Sequence, residues 1–155
     1  MVVESDFSTN VHRALEEIDP QYMSYDALVI CGTHTPKDPE RLISMIEQAR
    51  IRRRPFLGIC YGYQLAAVEY ARTILNRMDA VSQEWGYGDY VVQKLPELKV
   101  GLRDGESYWQ NYGVTIDFQV PEWFIVTPYH PEYQSRKSKP HKDLVKFMKI
   151  CRSYS

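Results

Sequence analysis

The 155-residue chain has no apolar run of the ~18 residues that a membrane-crossing helix requires. Its start, Met1 to Asn10, lacks the basic residues and apolar stretch of a secretory signal. Excess charge of either sign is missing too: 19 basic against 20 acidic side chains give a net −1. That balance provides no general attraction to nucleic acid or to an anionic membrane surface. Cysteine is scarce, and Cys31, Cys60 and Cys151 are odd in number and irregularly spaced. A disulfide framework is therefore not expected, and a reducing cytoplasm is. Cys31, His34 and Cys60 are too scattered for a zinc site, so no metal is expected. Glycine is used eight times, never as a phosphate-cradling loop, so neither ATP nor another cofactor is expected on this chain. There is no internal repeat, low-complexity tract or linker. What remains is an ordinary globular mix, 44% hydrophobic and 25% charged, read as one domain over residues 1–155.

The first half alternates in a regular way. Residues 8–18 predict a short helix with Ser8 or Thr9 as its cap and Val11, Leu15 and Ile18 on one face. Residues 26–30 (DALVI) predict a buried strand. Residues 41–53 have helical period in Leu42, Met45, Ile46 and Ala49, and Pro55 is expected to stop them. Phe56 to Ile59 predict a second buried strand, and residues 63–78 a helix with Leu65, Ala67, Val68, Ala71, Leu75 and Met78 facing inward. Strands alternating with helices predict a layered α/β domain with a mainly parallel sheet. The second half is less regular. Strands are expected at 90–93, 114–118 and 123–127, with a polar turn at 103–106. A last helix over 142–151 places Leu144, Val145, Met148 and Cys151 together. The basic run Arg50, Arg52, Arg53 and Arg54 is expected to be a solvated helix end, with a docking patch as the alternative. The Lys/Arg-rich stretch from Arg136 to Arg152 reads in the same way.

The segment with chemical content is Gly58-Ile59-Cys60-Tyr61-Gly62, where an apolar strand runs directly into a helix. A sharp strand-to-helix turn crowds the backbone, so small residues are needed on both flanks of the central side chain. A cysteine there stands at a helix N-terminus, whose unpaired N–H groups favour a thiolate. Such a nucleophile needs a base. His130 follows the strand at 123–127 in Pro128-Tyr129-His130-Pro131-Glu132, so it belongs on the same rim of the sheet, and Glu132 can turn back to orient its ring. Each residue alone is ordinary: a core cysteine and a loop histidine. Together, Cys60, His130 and Glu132 are a Cys–His–Glu set. Tyr61, Tyr63 and Tyr129 are expected near this turn.

These blocks resemble the class I, triad-type glutamine amidotransferases, and among them the glutaminase domains of CTP synthases. The likeness lies in residues 55–73 (PFLGICYGYQLAAVEYART), 79–84 (DAVSQE), 123–132 and 135–141. It implies a three-layer α/β/α, flavodoxin-like fold around a central, mainly parallel sheet. It implies L-glutamine as substrate, Cys60 as nucleophile, His130 as proton shuttle and Glu132 as its anchor, through a γ-glutamyl thioester. It further implies that the Tyr61 N–H and the Gly32 loop serve the oxyanion, that Gln64 and Glu84 recognise glutamine, and that ammonia passes to an ATP-dependent synthetase, here expected as a separate partner.

The chain departs from this family in four places. The glycine-rich oxyanion loop is Cys31-Gly32-Thr33-His34-Thr35, where only Gly32 matches, and side chains at 33–35 are expected to oppose a left-handed turn. The segment that helps hold the substrate carboxylate, residues 107–112, has no cation. The stretch between Glu84 and Tyr112 is short, and a strand before residue 8 is barely evident. Two alternatives therefore stay open: an amidase or γ-glutamyl hydrolase with an altered substrate, and a noncatalytic binding or regulatory homologue.

Overall fold

The computed structural model describes residues 1–103 and 106–154, with the side chains of residues 97–111 outside the description. Four parallel strands form the main sheet: β1 (Val2–Glu4), β2 (Leu28–Ile30), β3 (Phe56–Ile59) and β7 (Phe124–Thr127), in the order β1-β2-β3-β7. Helices α1 (Thr9–Ile18), α2 (Pro39–Ile51), α3 (Tyr61–Thr73) and α4 (Lys142–Ser153) cover both faces. The alternation of side chains along each strand divides the core in two. Leu28, Ile30, Phe56 and Phe124 pack under α2 and α3 with Leu42, Ile46 and Leu65. Val29, Leu57, Ile59 and Ile125 pack under α1 and α4 with Val11, Leu15, Leu144 and Phe147. Because both faces are covered, β2 and β3 are apolar at nearly every position. The α/β/α layering is the expected one.

A smaller sheet flanks α3. β4 (Ala80–Ser82) runs parallel to β5 (Asp89–Arg103), which pairs antiparallel with β6 (Glu106–Val114). The turn expected at 103–106 has its centre, residues 104 and 105, outside the described residues.

Several sequence expectations need correction. The strand expected at 114–118 ends at Val114. The alternation that suggested it is real, since Val114, Ile116, Phe118 and Val120 pack on the α2–α3 core, but Phe118 rests against the Tyr63 and Tyr70 rings. A strand is present before residue 8: Val2, Val3 and Glu4 pair in register with Leu28, Val29 and Ile30. α3 starts at Tyr61 and ends at Thr73, so Leu75 and Met78 lie beyond it and are 41% and 74% exposed. A left-handed Asn76 turns the chain there toward β4. Pro55 is not what stops α2. The helix closes three residues earlier at Arg52, through a left-handed Arg53 and an Arg54 N–H that donates to the Ala49 carbonyl. Ser8 occupies the α1 N-cap but its side chain makes no capping bond.

The basic run is not simply a solvated end. Arg50 donates to the buried Glu69 carboxylate at 2.8 Å and lies over the Tyr70 and Phe124 rings. Arg54 reaches Asp26 and the Ala27 carbonyl. Removing one partner of a buried ion pair strands the other charge. Glu69→Ala is therefore expected to lower the unfolding free energy by about 3–5 kcal/mol in denaturant titration, whereas replacing both partners with apolar residues should cost far less.

Candidate active site

β3 ends at Ile59 and α3 begins at Tyr61, so Cys60 alone makes the turn, at φ 54° and ψ −93°. A positive φ is costly for any residue with a side chain, and it persists only where the surroundings over-determine it. They do so here. The Cys60 N–H donates to the Thr127 carbonyl at 2.8 Å, and its carbonyl accepts from the Gln64 N–H at 3.1 Å. The glycines remove obstructions: a Cβ on Gly58 would lie 2.9 Å from the Gly62 backbone, and one on Gly62 would lie 2.5 Å from the Ile30 carbonyl oxygen. The first turn of α3 thus sits directly on the ends of β2 and β3.

β7 pairs with β3, so the chain leaving β7 passes beside Cys60. His130 Nδ1 lies 2.7 Å from Glu132 Oε1. A carboxylate only accepts, so Nδ1 donates and Nε2 is left for the sulfur. Glu132 is buried and its Oε2 has no hydrogen-bond partner among the described residues. Burial alone would push the His130 imidazolium toward deprotonation. Hydrogen bonds to Cys60 and Glu132, and their charges, overcome this and raise its pKa to about 10. Gly32 leaves room for the ring: a Cβ there would meet His130 Cε1 at 2.7 Å.

The turn carrying His130 and Glu132 is held from two sides. Arg13 of α1 donates to the carbonyls of Glu132 (2.8 Å) and Ser135 (3.2 Å). At the start of α4, the His141 N–H donates to Ser135 Oγ, and Tyr129 donates its hydroxyl to Asp143. The resemblance block at 135–141 is thus the footing of the histidine turn.

Cys60 and His130 open onto a cleft of about 230 Å3 that is also lined by Gln64 and Glu84. This is below the ~300–1,000 Å3 usual for drug-sized ligands and suits a ligand the size of an amino acid. Ser82 Oγ donates to Gln64 Oε1 at 3.0 Å, and the Gln64 amide bonds the Glu84 carboxylate. Burial raises the Glu84 pKa, while the Gln64 bond and the nearby His34 oppose the shift. Its Oε2 is buried without a partner among the described residues. The cleft therefore holds a sulfur with an adjacent imidazolium and, elsewhere in the same space, an oriented carboxylate suited to a cation.

A family model described as glutamine amidotransferase class-I matches residues 1–142. The chain belongs to that family. It is 29% identical over 191 aligned residues to a CTP synthase of Methanosphaerula palustris, covering 88% of this chain and 36% of the relative. It is 38% identical over 103 residues to a CTP synthase of Pelobacter propionicus, covering 64% of this chain and 19% of the relative. The chain thus spans about a third or less of the length of these relatives, and the longer alignment exceeds the chain itself, so that relative carries segments this chain lacks. Among solved structures, the glutaminase domain of Trypanosoma brucei CTPS with bound acivicin superposes at a TM-score of 0.76 and 14% identity, covering 98% of this chain and 92% of that one. This last likeness establishes the amidotransferase fold.

The residues singled out from the sequence separate into two groups. Cys60, His130, Gln64 and Glu84 share the cleft, Glu132 backs His130, and Gly32 touches the histidine ring. Tyr63 lines the cleft, but Tyr61 turns its ring onto Trp85 and Tyr129 is buried toward α4. Tyr61 can contribute only its backbone. Of the cation-poor segment at 107–112, only the Tyr112 side chain is described, and it lines the cleft. Sequence reasoning missed His34, which enters the cleft edge-on to Phe7 at 4.8 Å. Its signal was its place two residues after Gly32, in a loop read only as an obstacle.

The folded chain holds the His130 proton more tightly than an unfolded chain with a pKa of 6.5. Stability from this group is thus complete below pH 6.5 and fades as pH climbs through about 10. In histidine NMR titrations the wild-type resonance should move near pH 10, and Glu132→Gln should bring the midpoint down toward 6.5. An unchanged midpoint would mean that Glu132 does not support the imidazolium.

Proposed function

We propose that this chain is a single glutaminase unit that hydrolyses the side-chain amide of L-glutamine. The observation that carries the reading is the shared cleft of Cys60, backed by His130 and Glu132, and of Glu84, whose buried Oε2 has no partner among the described residues. Glutamine presents an amide for the sulfur and an α-ammonium group for such a carboxylate.

In this reading the proton of the Cys60–His130 pair already rests on His130 Nε2, and Cys60 Sγ attacks the amide carbon. The Tyr61 N–H and the loop after β2 receive the developing oxyanion. Collapse of the tetrahedral species breaks the C–N bond, and His130 returns the proton to the departing ammonia. His130, now neutral, takes a proton from water, which attacks the γ-glutamyl thioester and releases glutamate, restoring Cys60 beside the protonated His130. Glu132 holds the ring through Nδ1 and balances its charge. Gln64 orients Glu84, and Glu84 pairs with the substrate ammonium. His34, whose ring N–H can donate, is the candidate in the cleft for the α-carboxylate, since 107–112 has no cation. Gly32 serves substrate binding by leaving the space that His130 fills.

The CTP synthase relatives support an ATP-dependent synthetase as the ammonia acceptor, whether a separate chain or a further domain. No helix of the described residues is long and apolar enough to cross a membrane, and Cys31, Cys60 and Cys151 are free thiols, which fits work in the reducing cytoplasm. The replacement of glycines by Thr33, His34 and Thr35 favours one second reading, hydrolysis of a different amide or γ-glutamyl compound by the same cysteine.

Purified protein should release glutamate from L-glutamine, and Cys60→Ala should abolish the release. Glu84→Gln should raise KM roughly 10–100-fold, the equivalent of losing a charge-assisted bond of ~1.5–3 kcal/mol. Release from other γ-glutamyl amides but not from glutamine would favour the second reading, and no Cys60-dependent hydrolysis of any amide would refute both.

A further inference from the structure

The loop after β2 takes its shape without glycine freedom. The described residues with left-handed backbones are Ser5, Asp38, Arg53, Cys60, Asn76 and Gly88, and none lies between 32 and 35. The loop is held instead by the chain leaving β1. The Gly32 carbonyl accepts from the Phe7 N–H at 3.1 Å and from Ser5 Oγ at 3.2 Å. Asp6 Oδ2 accepts from Thr33 Oγ1 at 2.5 Å and from Thr35 Oγ1 at 3.4 Å, while the Thr35 N–H donates back to Thr33 Oγ1 at 3.0 Å. Thr33 is buried, and Ser5 is bent to φ 81° where the chain swings Asp6 toward the loop. The Thr33 hydroxyl bond, with Lys37 and Thr35 and against desolvation, holds the Asp6 carboxyl below its usual range, so the acceptor stays charged at neutral pH.

A trans peptide points its C=O and N–H in opposite directions. The Gly32 carbonyl is fixed toward β1, and β2 lies between β1 and β3, so the Thr33 N–H faces the β3 side, where Cys60 stands. Among the described residues no acceptor takes the Thr33 N–H or the Tyr61 N–H. We infer that Asp6 is a positioning residue: by gripping Thr33 and Thr35 it fixes the Gly32–Thr33 peptide so that the Thr33 N–H serves as the second oxyanion donor. Hydrogen bonds here replace the conformational freedom that a glycine-rich loop uses. The inference rests on the glutamine-amide reading above.

The test compares the full chain with Asp6→Ala, Thr33→Val, Thr33→Ser and the Asp6→Ala/Thr33→Val double variant. Each is measured for kcat and KM on L-glutamine and for affinity toward glutamate and the γ-aldehyde analogue of glutamine. With the aldehyde, the Cys60 sulfur adds to the carbonyl carbon and its proton ends on the oxygen. No group leaves, and that oxygen occupies the oxyanion position. Asp6→Ala and Thr33→Val should each lower kcat tenfold or more, up to the ~10²–10³ of a lost donor. KM and glutamate affinity should hold, aldehyde affinity should fall with kcat, and Thr33→Ser, which keeps the hydroxyl, should recover most of the kcat that Thr33→Val loses. Because the two residues act through one bond, the double variant should be no worse than the singles. Should Asp6→Ala fail to fold, Thr33→Val against Thr33→Ser carries the same comparison. Unchanged kcat in the variants, losses confined to KM, or losses that multiply would overturn the role of Asp6 while leaving glutaminase activity standing. A wild-type chain that neither hydrolyses glutamine nor binds the aldehyde would remove the reading of the site, and this inference with it.

Discussion

The left-handed backbone of Cys60 governs the geometry of this molecule. A residue with a side chain gives up ~1–3 kcal/mol to sit there, and the surrounding chain is arranged so that no alternative fits. α3 can begin directly after β3 only because Gly58 and Gly62 let two stretches of backbone touch. That contact projects the sulfur from the sheet rim, leaves the Tyr61 N–H beside it, and puts Gln64 one turn along the same helix. Moving the turn by one residue would send the nucleophile into the core.

The remaining parts of the cleft are assembled by neighbouring strands of the same parallel sheet. β2 contributes the loop, β3 the cysteine and β7 the histidine, in adjacent order. Two carboxylates complete the electrostatics. Glu132 is committed to His130 through one oxygen, and Glu84 is steadied by Gln64 and Ser82. Each is held by contacts remote from the space it serves: Arg13 and the α4 cap behind Glu132, and the β4 end behind Glu84. In the proposed reaction His130 would face charge that forms and vanishes, whereas Glu84 would face charge that the substrate brings with it.

The central layers were legible because their signals are local. Apolar runs at 28–30 and 56–59 have one stable use in a covered sheet, and the glycine-flanked cysteine encodes its own turn. His130 and Glu132 could be paired from the sequence because they are two residues apart. Where the reading failed, the deciding contact was distant. Leu75 and Met78 fit a helical period, but the bidentate Arg77–Asp89 pair draws the chain away toward β5. Residues 114–120 alternate as a strand does, but the pairing with β5 stops at Val114 and Thr115, and Phe118 rests instead on the Tyr63 and Tyr70 rings of α3. The bracket from Asp6 to Thr33 and Thr35 joins segments 27 and 29 positions apart, and no pattern in either segment announces it.

β1 has three residues and forms one edge of the sheet, yet the chain leaving it holds the loop that faces the nucleophile. Short edge elements are the first to open in native-state fluctuations, at a free energy well below that of global unfolding. Fraying at Val2–Glu4 would release the Gly32 carbonyl while β2, β3 and β7 stayed paired. In the proposed reaction one oxyanion donor would therefore hang on a three-residue edge strand, and its placement is expected to loosen at a lower free energy than the core that carries Cys60 and His130.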